Sequence, residues 1–202
     1  MIHSIIVPGV GGSESNHWQT WLQQQLMFSS RVEQKDWQAP VLSTWVEHWV
    51  NTVKNAPDSL QIIAHSFGCL TSVAALAQHP ELAYKVKKMV LVAPANPSRF
   101  SAQGFAQAGQ LNFADYFRDI QLTVATDLIM SENDPWFAEQ DVRALAQHWQ
   151  LQPRNLGQVG HINVAAGFGP FPEIFEHLLN EQPRRSVYRT VEEQDVYLRY
   201  AI

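Results

Sequence analysis

The sequence holds a single cysteine, Cys69, so no disulfide can form within the chain and paired-cysteine metal motifs are excluded. No apolar run approaches the length of a membrane span, so no membrane partner is expected. There is no cluster of Lys and Arg, and a formal net charge of −5 argues against nucleic acid as a partner. The opening residues, MIHSIIVPG, have no basic segment followed by a long apolar core. A signal peptide is therefore not expected, and the cytoplasm is the expected compartment. Internal repeats and low-complexity segments are missing as well. What is there is a chain of 202 residues, 46% hydrophobic and 16% charged, the make-up of one globular domain with a substantial core.

Short apolar runs alternate with helical stripes along that chain. Residues 4–7, 32–35, 60–64, 89–92, 127–131 and 155–159 read as strands. Between them, Trp18, Trp21, Leu22 and Leu26 recur at helical spacing, with Ser13, Ser15 or Asn16 as the expected N-cap. Trp45, Val46, Trp49, Val50 and Val53 form a second stripe, and Val142, Leu145, Ala146 and Trp149 a third. Ile174, Phe175, Leu178 and Leu179 form a fourth. Such alternation predicts an α/β protein with a mostly parallel sheet of roughly six strands and helices on both faces. Residues 93–119, with Pro94, Pro97, Gly104 and Gly109, are expected to make a short excursion over the strand ends. The tryptophans sit at helical spacing and are expected mostly in the core.

The stretch Ala64-His65-Ser66-Phe67-Gly68 sits where an apolar strand meets a helix whose stripe is Leu70, Val73, Ala74 and Leu76. A serine flanked by small residues at that junction is the pattern of a nucleophile elbow. The pentapeptide alone carries little weight; its setting carries more. A serine hydroxyl is a poor nucleophile until a base takes its proton. In hydrolases built this way the acid and then the histidine follow the serine, each in a loop after a strand. Here Glu132 and Asp134 follow one strand and His161 follows another. Parallel strands all end at one edge, so Ser66, Asp134 and His161 can converge there. Asp134 is the favoured acid and Glu132 the alternative. His65 is expected to pack beside the site, and Cys69 to be a small buried hydrophobe.

The loop VPGVGGSESNHW follows the first strand and is expected beside Ser66. Its Val10 N–H, with that of Phe67, is expected to hold a developing oxyanion. Gly9-Val10-Gly11 also resembles part of a dinucleotide fingerprint, but Glu14 stands where the third glycine belongs. Trp136, Phe137, Phe168 and Phe171 flank the site loops, either lining an apolar acyl pocket or packing the loops. Nothing calls for a cofactor or a metal.

Together, IIVPGVGGSESNHWQTWL, DWQAPVLSTWV, IIAHSFGCL, SENDPW and GHINVAAGFGPFP resemble the small serine-hydrolase family of the α/β-hydrolase superfamily. This group contains retinoblastoma-binding protein 9 and bacterial YdeN-like proteins. The resemblance spans residues 2 to about 180. It implies a compact six-stranded sheet and a triad of Ser66, Asp134 and His161. The Leu-x-Cys-x-Glu motif for the retinoblastoma partner is absent here, so that partner is not carried over. The expected activity is hydrolysis of small acyl esters. Thioesters or small amides are alternative substrates, and a binding-only protein of the same fold is the other class. Residues 1–181 are read as the domain and 182–202 as a C-terminal extension. In that extension Val196, Leu198, Tyr200 and Ile202 alternate, which suggests docking on the body or on a second subunit.

Overall fold

A computed structural model of the chain describes residues 1–179. Among these residues six strands form one parallel sheet: β1 (His3–Val7), β2 (Ser29–Arg31), β3 (Leu60–Ser66), β4 (Val86–Pro94), β7 (Thr126–Met130) and β8 (Arg154–Asn155). Their order is β2-β1-β3-β4-β7-β8. A two-stranded hairpin, β5 (Phe100–Ser101) with β6 (Gly104–Phe105), lies in the excursion after β4. The helices are α1 (Trp18–Gln25), α2 (Leu42–Asn55), α3 (Phe67–Gln78), α4 (Ala114–Asp119) and α5 (Glu139–His148).

Each central strand is apolar on both faces because helices cover both. On one side Val7, Ile62, Ala64, Leu91 and Met130 pack with α2, α3 and α5. On the other, Ile6, Ile63, Val90 and Ile129 pack with Trp18 and Leu22 of α1, with Leu26 just after it, and with Ile174. Helix α2 buries the stripe Trp45, Val46, Trp49, Val50 and Val53, each side chain stabilising the fold by roughly 1.5–3 kcal/mol. The tryptophans follow suit: Trp18, Trp45, Trp49 and Trp149 are buried.

The topology also fixes where chemistry can occur. Strand β1 pairs with β2 on one side and with β3 on the other, so the chain reverses direction across the sheet between β1 and β3. In parallel sheets a crevice opens at such a reversal, at the carboxyl ends of the strands. Ser66 ends β3 at that edge, facing the loop after β1.

Strand β4 runs longer than expected, Val86–Pro94 rather than 89–92, and three other elements differ in place or type. Strand β2 is Ser29–Arg31 rather than 32–35, because its register is set by pairing Ser4 with Ser29 and Ile6 with Arg31. Val32 N–H still donates to the Ile6 carbonyl, but there the ladder ends. Strand β8 stops at Asn155 because Gly157 turns the chain with φ +79°, and the Asn155 side chain accepts the Gly157 N–H. The final apolar stripe forms a 3₁₀ turn, Pro172–His177, rather than an α-helix. The alternating segment 196–202 lies outside the described residues.

Candidate active site

Ser66 has φ 54° and ψ −123°, a conformation that side-chain-bearing residues rarely adopt. The surroundings enforce it. A Cβ at Gly68 would meet the Val7 carbonyl oxygen at 2.4 Å and that of Pro8 at 2.5 Å, both backbone atoms that cannot step aside. A Cβ at Gly9 would meet Ser66 Cβ at 2.7 Å. These two glycines let the loop after β1 press against the β3–α3 turn, and the turn presents the serine hydroxyl at the sheet edge.

Two further loops bring their side chains to that hydroxyl. His161 Nε2 lies 2.9 Å from Ser66 Oγ. On the other side of the ring, Nδ1 lies 2.7 Å from Asp134 Oδ2. With Nδ1–H donating to the carboxylate, Nε2 is left as an acceptor for the serine proton. Asp134 and His161 are both buried. Glu132 is exposed, and its Oε1 accepts the Asn155 amide at 2.8 Å, away from the histidine. Asp134 also caps its own turn: Oδ1 accepts the Trp136 N–H at 2.8 Å, leaving Oδ2 for His161.

Except for His65, the positioning groups around these residues escape sequence reasoning. Asn133 Oδ1 accepts the Gly160 N–H at 2.7 Å, and Ser131 Oγ accepts the Val159 N–H at 3.1 Å. Both stitch the histidine loop to the aspartate loop. Trp18 Nε1–H donates to the Ile162 carbonyl at 3.0 Å, and His65 Nε2–H to the His161 carbonyl at 2.9 Å. Gln19, fully buried, donates to the carbonyls of Val7 and Ile63 and accepts the Ser13 hydroxyl. It locks the post-β1 loop to the sheet. Within that loop the Gly11 and Gly12 N–H groups bond to the Trp37 and Gly9 carbonyls. The Val10 N–H is left unbonded among the described residues. Phe67, in the first turn of α3, presents an N–H with no acceptor one turn back.

Helix α1 is capped by His17, not by Ser13, Ser15 or Asn16: His17 Nδ1 accepts the Gln19 N–H at 3.1 Å. His17, His65 and His161 form a chain of rings, with centroids 4.9 Å and 5.0 Å apart. Burial, with the Arg31 guanidinium and His161 nearby, pushes His17 down to about 4. Burial likewise holds His65 well below the ordinary imidazole range, and the neighbouring His161 and His17 add to it. Between the folded and unfolded pKa values, only the unfolded chain takes up the proton. The stabilisation is therefore complete above about pH 6.5 and is lost as pH falls toward 4. Urea midpoints are expected to fall steadily from pH 7 to 4. His17→Asn should flatten the fall by up to about 1.4 kcal/mol per pH unit. An unchanged slope in that variant would show that His17 is not held neutral.

Ser66 opens onto a cavity of about 150 Å³ whose walls include Val10, Glu14, His17, His161 and Asn163. The four aromatics considered for an acyl pocket do not line it. Phe137 is buried in the core under α5, and Phe171 in the core under α1, where it meets Trp18 and Phe168 edge-on. Loop packing uses them up. Trp136 is half exposed, with the Arg99 guanidinium 4.3 Å from its ring centroid.

The family described as serine hydrolase matches residues 4–180 of the chain. No curated protein gives a significant match. A YdeN-like hydrolase from Pectobacterium atrosepticum superposes with a TM-score of 0.74 at 29% identity, covering 88% of this chain and 89% of that one. The ydeN gene product of B. subtilis gives 0.68 at 18% identity, over 88% and 96%. Est1E from Butyrivibrio proteoclasticus, with ferulic acid bound, gives 0.59 at 16% identity, over 81% and 82%. The last two are similar in fold alone. The sheet and its helices are those of the α/β-hydrolase fold.

Proposed function

Because the chain belongs to the serine hydrolase family, we propose that it is a carboxylesterase that cleaves small acyl esters through an acyl-enzyme. The observation that carries this reading is the unbroken line from Ser66 Oγ through His161 to Asp134, at 2.9 Å and 2.7 Å. In the proposed sequence, Ser66 Oγ attacks the ester carbonyl carbon as its proton passes to His161 Nε2. Asp134 keeps the imidazole in the accepting tautomer and stabilises the cation. The carbonyl oxygen, now negative, sits against the N–H groups of Val10 and Phe67. Collapse breaks the bond to the alcohol oxygen, which takes the proton from His161. Water then repeats the attack on the acyl-serine with His161 again as base.

The cavity of about 150 Å³ favours a short acyl group. A binding-only role fits less well, because a serine held at φ 54° stores strain that binding alone does not require. The test is a fluorophosphonate probe together with a panel of esters, thioesters and amides. Labelling of Ser66 and turnover of short esters are expected. Absence of both in the folded protein would favour binding only, and faster thioester or amide turnover would reassign the substrate.

A further inference from the structure

One buried donor at this site has no task in the proposed reaction. His17 is 4% exposed, and its ring shares the cavity wall with Ser66 and His161. Since Nδ1 accepts the Gln19 N–H at 3.1 Å, a neutral ring carries its proton on Nε2. Burial keeps that ring neutral at physiological pH, as its value of about 4 indicates. Among the described residues Gln25 Oε1 is the only sealed side-chain nitrogen or oxygen without a partner. No hydrogen bond to His17 Nε2 is formed among those residues either, so this nitrogen opens onto the cavity.

We propose that His17 Nε2–H binds a neutral oxygen on the substrate's acyl chain, so that the enzyme prefers short oxygen-substituted acyl esters to their hydrocarbon isosteres. The inference rests on the esterase reading and names its substrate class. An alkoxyacyl, hydroxyacyl or oxoacyl group satisfies the donor. A hydrocarbon chain of the same size strips it of water and leaves it unpaired, which is the stronger form of discrimination. The acyl group, rather than the alcohol, is assigned to this cavity because it stays bonded to Ser66 through both half-reactions. An anionic acyl group is disfavoured: Glu14 lines the same cavity, and His17 supplies no positive charge.

Two substitutions separate this role from helix capping. His17→Asn keeps an acceptor for the Gln19 N–H but withdraws the donor from the cavity. His17→Gln sends an amide N–H to about the position of Nε2 and gives up the cap. The measurement is kcat/KM on p-nitrophenyl methoxyacetate and p-nitrophenyl butyrate, which are isosteric in the acyl chain. Their intrinsic reactivities differ, but that difference cancels when variants are compared. His17→Asn should lower the methoxyacetyl-to-butyryl ratio by about tenfold, with melting temperature close to wild type. His17→Gln should bring the ratio back to within about threefold of wild type while melting lower. A ratio shared by all three proteins overturns the inference, whether their rates fall together or not at all. If the wild type hydrolyses neither ester and takes no fluorophosphonate, the esterase reading fails with it. Turnover without a change in ratio sinks this inference alone.

Discussion

Ser66→Ala is expected to abolish fluorophosphonate labelling and to reduce ester turnover by about 10⁶-fold while leaving the fold intact. The size of the loss follows from what the hydroxyl supplies. Without Oγ there is no acyl-enzyme, and His161 can only assist attack by water on a substrate held in the cavity. Stability should change little, because the lost atom makes one side-chain hydrogen bond, to His161 Nε2 at 2.9 Å. The backbone strain at φ 54° is the same for Ala as for Ser. Melting temperature and circular dichroism should therefore match wild type. Turnover near the wild-type rate in a folded Ala variant would remove Ser66 from the mechanism.

How much of this was legible in the sequence depends on where the information sits. The β3–α3 junction was legible because a short apolar run, Leu60, Ile62, Ile63 and Ala64, gives way to a helical stripe, so the change of period itself marks the turn. The order Ser66, Asp134, His161 was legible because parallel strands deliver their following loops to one edge. Strand β2 was not, because Ser29, Ser30 and Arg31 carry no apolar pattern and are strand only through their pairing with β1. The His17 cap was missed because short oxygen side chains are the usual caps, and three of them stand just ahead of it. For the aromatics beside the site loops, the sequence leaves both pocket lining and loop packing open. An aromatic near a site loop in sequence gives no direction, and Phe137 and Phe171 turn inward to the cores. Asn133 and Ser131 gave no signal either, since their partners, Gly160 and Val159, lie more than 25 residues away in the chain.

The choice of Asp134 over Glu132, already favoured by the sequence, leads to the second large expected effect. Asp134→Asn should lower kcat/KM by about 10⁴-fold, whereas Glu132→Gln should change it by only a few-fold. The two oxygens of Asp134 have separate duties: Oδ1 accepts the Trp136 N–H at 2.8 Å and Oδ2 faces His161 Nδ1 at 2.7 Å. An asparagine oxygen can keep the Trp136 bond, so the turn should survive. Its amide then stands where Oδ2 was and donates to Nδ1. That forces the imidazole proton onto Nε2, the nitrogen that must accept from Ser66. The ring keeps its place but holds the wrong tautomer, and the cation formed during turnover loses its counter-charge. Glu132, by contrast, is exposed and bonded to Asn155, so its amide analogue disturbs only the edge of β8. The decisive comparison is kcat/KM for both variants on one short ester, with melting curves alongside. A larger loss in Glu132→Gln than in Asp134→Asn would transfer the orienting role to Glu132. That outcome would require the two loops to rearrange, because Asp134 is the carboxylate now in contact with the ring.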